Sequence, residues 1–209
     1  MNQLSELSCA AFADALAAKT SVPGGGGASA LVGALGVALC SMAGRFTAGK
    51  KKYEAYEADI LRILEECEAL RIRFLELVDE DARGFEPLSK AYAMPKDAPD
   101  RDAVMAEAIV QACRAPMEMV TCCGQTLRLL EEMLEKGSRL LITDVGCGAL
   151  LCRAAMESAA LNVFVNTAAL KDRETAGRME RQVDAALAAG LPLADRIAGA
   201  VTAYIRKEV

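Results

Sequence analysis

Asp81 is a carboxylate at a position where the surrounding pattern calls for an apolar side chain. Ile63, Cys67, Leu70, Phe74, Leu77, Phe85, Leu88 and Tyr92 succeed one another in steps of three and four, with Asp81 completing the series between Leu77 and Phe85. That spacing traces a single face of a helix. Asp79 and Glu80 fall to the sides of the stripe, where water solvates them. A carboxylate centred on an apolar face must be paired, hydrogen-bonded or held neutral by a raised pKa. Such a group suits proton transfer or the recognition of a ligand's N–H groups. A buried ion pair with an arginine of another helix satisfies the same pattern.

A second concentration of unusual residues is Ser21-Val22-Pro23-Gly24-Gly25-Gly26-Gly27-Ala28-Ser29. Consecutive glycines cost backbone entropy and add nothing to a core. They are expected where backbone passes close to another group. A glycine turn that opens a helix also offers free N–H groups and the positive end of the helix dipole, so Pro23, Gly24, Gly25 and Gly26 form a candidate cradle for a polar ligand. The structural alternative is a tight turn that lets two helices approach.

Three further groups complete the candidates. Lys50, Lys51 and Lys52 are a solvated charge run or an electrostatic clamp for a carboxylate ligand, with Arg45 one turn earlier. Asp144, after Thr143, stands where a helix N-cap is expected, and a cap can also face a pocket. Asn162 and Asn166 share a face by their separation of four. Their amides either read the donors and acceptors of a heterocycle or cap the end of their helix.

The chain's absences narrow the chemistry. Its 209 residues include no histidine, which removes Ser-His and Cys-His nucleophile pairs and most zinc and haem sites. Acid–base work falls to Asp, Glu, Lys, Tyr or Cys. The eight cysteines show no C-x-x-C pair and no metal-ligand spacing; no metal site is expected, and reduced, mostly buried thiols point to a cytoplasmic protein. The first residues lack the basic-then-apolar layout of a signal peptide. A net charge of −5 argues against nucleic acid or an anionic membrane surface as the main partner.

These groups must be positioned by helices. The reading is all-α, a single domain over residues 1–209 built as an antiparallel helical bundle. Helices are expected at Leu4 to Lys19, Ala28 to Gly49, Lys51 to about Ala93 with a break near Gly84 or Pro87, Asp100 to Gly137 with a kink or break at Pro116, Asp144 to Ala168, and Asp172 to Arg206 with an interruption at Gly190-Leu191-Pro192. Leu140 to Ile142 reads as a short extended linker. The segments 28–49 and 144–168 are rich in small residues and nearly uncharged, and form two buried central helices. No charge occurs from Ser21 to Gly44, but the glycines and proline leave only about 17 uncharged helical residues, short for a membrane span.

In order along the chain, Phe12 through Lys19, Pro23-Gly24-Gly25-Gly26, Gly49-Lys50-Lys51-Lys52-Tyr53, Asp79-x-Asp81-Ala82-x-x-Phe85, Ala115-Pro116, Thr143-Asp144 and Ala160-Leu161-Asn162-Val163-x-Val165-Asn166 resemble the formiminotransferase-cyclodeaminase family. The resemblance is to its cyclodeaminase domain and to stand-alone methenyltetrahydrofolate cyclohydrolases, and it covers nearly the whole chain. The sequence departs from the family pattern at Gly27, often Ser or Thr there, at Thr143 in place of serine, and in the apolar Leu140-Leu141-Ile142.

The resemblance implies a cytoplasmic homodimer acting on the one-carbon unit between N5 and N10 of tetrahydrofolate, without metal or redox cofactor. It implies a catalytic set of Asp81, Asp144 and Lys50. Asp81 is then the general acid–base, and Asp144 assists it or holds the pterin's N–H edge, with the two roles exchangeable. Pro23, Gly24, Gly25, Gly26, Asn162 and Asn166 become substrate contacts, and Lys50 and Lys52 hold the glutamate tail or a reacting oxygen. Two alternatives stay open at this point: a folate-binding subunit without turnover, which the altered loops support, and a helical interaction protein.

Overall fold

The computed structural model describes residues 3–207, and among them no strand occurs. Six α-helices follow in order: α1 (Cys9–Ala17), α2 (Gly25–Arg45), α3 (Glu57–Tyr92), α4 (Arg101–Lys136), α5 (Ile142–Ala168) and α6 (Arg173–Arg206). Short 3-10 helices span Leu4–Glu6, Lys51–Tyr56 and Arg139–Leu141. Helices α2 to α5 form a ring in which α2 packs on α3 and α5, and α4 packs on the same two. Helix α6 lies along α5 and α4. The expected all-α bundle is the observed architecture.

Both neighbours of α2 run antiparallel to it. Gly26, Gly33 and Gly44 face Asp81, Phe74 and Leu64 of α3, while Gly25 and Gly36 face Asn162 and Cys152 of α5. The small residues of α2 and α5 permit this proximity. A Cβ on Gly148 would lie 3.0 Å from the Gly36 carbonyl oxygen, so the two backbones touch without an intervening side chain. Around this pair, Phe74, Leu77, Ile63, Leu127, Leu130 and Met156 are fully buried, each contributing about 1.5–3 kcal/mol by leaving water.

Several boundaries differ from the sequence expectations. The first segment is broken at Leu7-Ser8, where the Ser8 hydroxyl accepts the Ala11 N–H at 3.2 Å and starts α1. Helix α2 begins at Gly25, so Gly25 to Gly27 form its first turn instead of a loop before it. It stops at Arg45, and Gly49 turns the chain at φ +72°, a left-handed conformation that glycine adopts at little cost. Helix α3 continues through Gly84 and Pro87, α4 through Pro116 and α6 through Pro192. A proline removes one hydrogen bond from a ladder, and these long helices retain the rest. Leu140 and Leu141 are in a 3-10 turn, not an extended linker.

Asp79 also differs from expectation. It is 7% exposed, and its carboxylate accepts the Leu4 N–H and the Ser5 hydroxyl, both at 2.6 Å. The segment before α1 is thereby fastened to the outer side of α3. Helices α2, α5 with its preceding turn, and α6 are long and apolar enough to cross a membrane by length and composition; here they pack against other helices of the bundle.

Candidate active site

The start of α2, the last third of α3, the middle of α4 and the end of α5 surround a cleft of about 180 Å³. Ser21, Val22 and Gly24 to Gly26 line one side of it. Asp81 and Phe85 come from α3, Ala112 and Pro116 from α4, and Asn162, Val165 and Asn166 from α5. Asp81 carries the only charge in this lining.

The glycine run explains how the carboxylate is accommodated. Gly26 is buried, and a Cβ built on it would overlap the Asp81 carboxylate. A Cβ on Gly25 would meet the Asn162 amide at 3.4 Å. Gly24 faces open space, and Pro23 packs behind the turn, its Cβ 3.6 Å from a Cβ position on Gly27. Pro23 therefore shapes the turn without lining the cleft. Burial pushes the Asp81 carboxyl up to about 6, against the opposing pull of the Gly27 N–H. The arginine partner that a structural role would require is absent from the cleft lining.

The two asparagines differ in freedom. The Asn162 amide nitrogen donates to the Ser158 carbonyl at 2.8 Å, which fixes its plane beside Gly25. Asn166 is 9% exposed. Burial pushes the Cys113 thiol up to about 11, against an opposing pull from the Asn166 side chain, and that thiol donates to the Val163 carbonyl at 3.9 Å. The end of α5 is closed by the backbone, the Ala169 N–H donating to the Asn166 carbonyl.

The remaining candidates lie at the other end of the bundle. Asp144 is in the first turn of α5, past an N-cap position held by Leu141 with no side-chain cap. It is half-buried and sits where the helix dipole favours an anion. From Asp144 to Asn162, 18 residues of helix span about 27 Å. Lys50, Lys51 and Lys52 are exposed beyond the end of α2. The Lys52 ammonium stands 5.4 Å from the centre of the Tyr53 ring, and the Tyr53 hydroxyl reaches Ser138 and the Arg139 backbone, contacts that lower its pKa. One chain thus unites Gly24, Gly25, Gly26, Asp81, Asn162 and Asn166, and holds Lys50, Lys52 and Asp144 apart from them.

Phe85, Ala112, Pro116 and Val165 line the cleft without having been singled out for it. Phe85 shares the stripe of Asp81, which was a usable signal; Pro116 reads as a helix breaker and as part of a family motif, with no place in the site assigned to it.

Comparison with known proteins gives a consistent result. Residues 8–185 match the family model described as formiminotransferase-cyclodeaminase. The chain is 38% identical over 190 residues to a methenyltetrahydrofolate cyclohydrolase of Methylorubrum extorquens, covering 89% of this chain and 91% of that protein. It is 30% identical over 173 residues to the formimidoyltransferase-cyclodeaminase of Rattus norvegicus, covering 81% of this chain and 31% of that longer one. The crystal structure of a formiminotetrahydrofolate cyclodeaminase from Thermotoga maritima superposes with a TM-score of 0.89 at 28% identity, covering 97% of this chain and 99% of that one.

Proposed function

This chain belongs to the formiminotransferase-cyclodeaminase family, and from that premise we propose that the Asp81 cleft is its catalytic centre. The chain is a tetrahydrofolate one-carbon enzyme, a methenyltetrahydrofolate cyclohydrolase, a formimidoyltetrahydrofolate cyclodeaminase, or both. The observation that carries the site assignment is the half-buried Asp81 carboxylate, set against Gly26 in a cleft that Asn162 and Asn166 also line and that holds no cation.

The reacting carbon between N5 and N10 bears amidinium-like positive charge in both reactions. A cleft whose one charge is negative stabilises that carbon. In the cyclohydrolase direction Asp81 takes a proton from water as the oxygen bonds to the methenyl carbon. The carbon–N5 bond then breaks, a proton is delivered to N5, and 10-formyltetrahydrofolate is formed. In the cyclodeaminase direction N10 bonds to the formimino carbon, and protonated Asp81 assists departure of ammonia. A carboxyl tuned to about 6 can serve either way near neutral pH. Asn162 and Asn166 supply amide contacts to the pterin. The chemistry calls for neither metal nor redox cofactor.

The enzyme works as a homodimer in the cytoplasm in this reading. Eight free cysteines support a reducing compartment. The relative at 38% identity, matched over nearly its full length, favours the cyclohydrolase reaction.

An absorbance assay with 5,10-methenyltetrahydrofolate beside 5-formiminotetrahydrofolate tests the proposal. Loss of the methenyl chromophore beyond the spontaneous rate reports cyclohydrolase activity, and its appearance from the formimino substrate reports cyclodeaminase activity. Asp81→Asn should abolish both. Folate binding with no turnover of either substrate would make the protein a binding subunit instead.

A further inference from the structure

We propose that the cavity behind Val22, between the segment before α1 and the outer side of α3, receives the p-aminobenzoyl-glutamate half of the folate, with Arg83 binding its carboxylates. The inference rests on the Asp81 site proposed above.

The Asp81 cleft is too small to enclose a whole folate. Its volume is about 180 Å³, against roughly 300–1,000 Å³ for sites that enclose drug-sized ligands. It suits the flat pterin, whose reacting carbon must lie at Asp81. The rest of the molecule, a benzoyl ring followed by an anionic glutamate, has to leave past one of the walls.

Val22 is a wall with space behind it. This half-buried side chain lines the Asp81 cleft and also a second cavity of about 470 Å³. Taken together, the two volumes fall within the range of a site for an extended ligand. On α3, Asp81 and Phe85 line the first cavity, and Asp79, Ala82, Arg83 and Glu86 line the second. Successive residues are turned about 100° around a helix, so Ala82 comes next to Asp81 on this surface. Its methyl group leaves the passage low on the α3 side.

The second cavity has the chemistry of the tail. Leu4, Val22 and Ala82 give it apolar walls, which suit a benzoyl ring. Its charges are committed with one exception. The Asp79 carboxylate accepts the Leu4 N–H and the Ser5 hydroxyl, and Glu86 is paired with Lys90 at 2.7 Å. Arg83 is exposed and has no ion pair or hydrogen bond among the described residues. It is also the one cation lining either cavity. A guanidinium forks onto a carboxylate through two parallel hydrogen bonds, and a glutamate offers one carboxylate on its α-carbon and one on its side chain.

Substrates that differ only in the tail provide the test. KM and kcat are measured for 5,10-methenyltetrahydrofolate and for 5,10-methenyltetrahydropteroylamide, which ends at a neutral carboxamide in place of the glutamate. The wild-type chain should favour the glutamate form by about 5- to 10-fold in KM. R83Q should lose that preference with kcat retained, and R83K should restore part of it, since it returns the charge without the fork. Equal KM values for the two substrates in the wild-type chain overturn the inference, and so does a preference that survives R83Q. A fall in kcat for both substrates with KM unchanged overturns it too, since Arg83 would then act through the fold. Absence of turnover with either substrate is a separate failure, that of the Asp81 reading. Equilibrium binding of tetrahydrofolate and tetrahydropteroylamide then reads the tail contact alone: R83Q must weaken the first and spare the second, and equal effects on both refute it.

Discussion

Gly26 lies directly against the carboxylate of Asp81, in the space its own side chain would need. The glycine run is therefore a steric requirement of the carboxylate beside it. Gly26→Ala should raise the helical propensity of α2 by up to about 1 kcal/mol while displacing Asp81. We expect folded protein by circular dichroism and a fall in kcat on the order of 10²-fold. Wild-type turnover by this variant would show that the position of the carboxylate is immaterial.

Asp81→Asn should separate activity from stability. The native carboxyl titrates at about 6, against an ordinary 3.8, so between those values the folded chain binds the proton more tightly than the unfolded one. The stability this gives is fully present below about pH 4 and is lost as pH rises through 6. Replacing the ionisable group should thus raise the free energy of unfolding above pH 6, by an amount on the order of 1–3 kcal/mol, and change little below pH 4. Activity should fall about 10²- to 10⁴-fold. Calorimetry across pH 3.5–8 (an interval chosen to bracket both values) checks the first part, and equal stability changes at both ends would refute it.

The pH–rate profile follows from the same carboxyl. As a general base in methenyl hydrolysis, Asp81 must be ionised, so kcat/KM should drop as pH falls through about 6. As a general acid in ammonia release it must be protonated, and that rate should drop as pH rises through the same value. Profiles of both reactions, corrected for uncatalysed hydrolysis, would show opposite limbs. A flat profile in both would assign the proton transfers to another group.

Asp79, two residues away, should behave quite differently. Its carboxylate holds Leu4 and Ser5, and it lines no part of the Asp81 cleft. Asp79→Ala should destabilise the chain by about 1–3 kcal/mol, because it leaves a backbone N–H without its acceptor. It should also expose the segment before α1 to proteases, with kcat changed only a few-fold. A collapse of kcat without loss of stability would instead place Asp79 in the catalytic machinery.

Much of this protein was legible from spacing alone. The stripe from Ile63 to Leu88 put Asp81 on the core-facing side of α3, although Tyr92 at its end is exposed. The small-residue segments marked α2 and α5 as a closely packed pair, but not as the buried central helices expected, since Leu35, Leu150, Leu161 and Val165 are all more than half exposed. Helix faces are written locally, since residues three and four apart become neighbours whatever the rest of the chain does. The order of the motifs carried the family as well. Breaks expected at Pro87, Pro116 and Pro192 did not occur, because a local penalty at one hydrogen bond is outweighed by the packing of a long helix.

What tertiary structure decided is which distant groups meet. Asp79 and Asp81 differ by two positions, yet one is claimed by a backbone N–H 75 residues away and the other faces a glycine of α2. Asn162 and Asp144 share one helix, yet only Asn162 reaches the cleft, since α5 runs antiparallel to α2 and puts them at opposite ends. Periodicity gives a residue its angle around a helix axis. Its partner depends on how separate helices are set beside one another, and that is determined by packing across the whole chain.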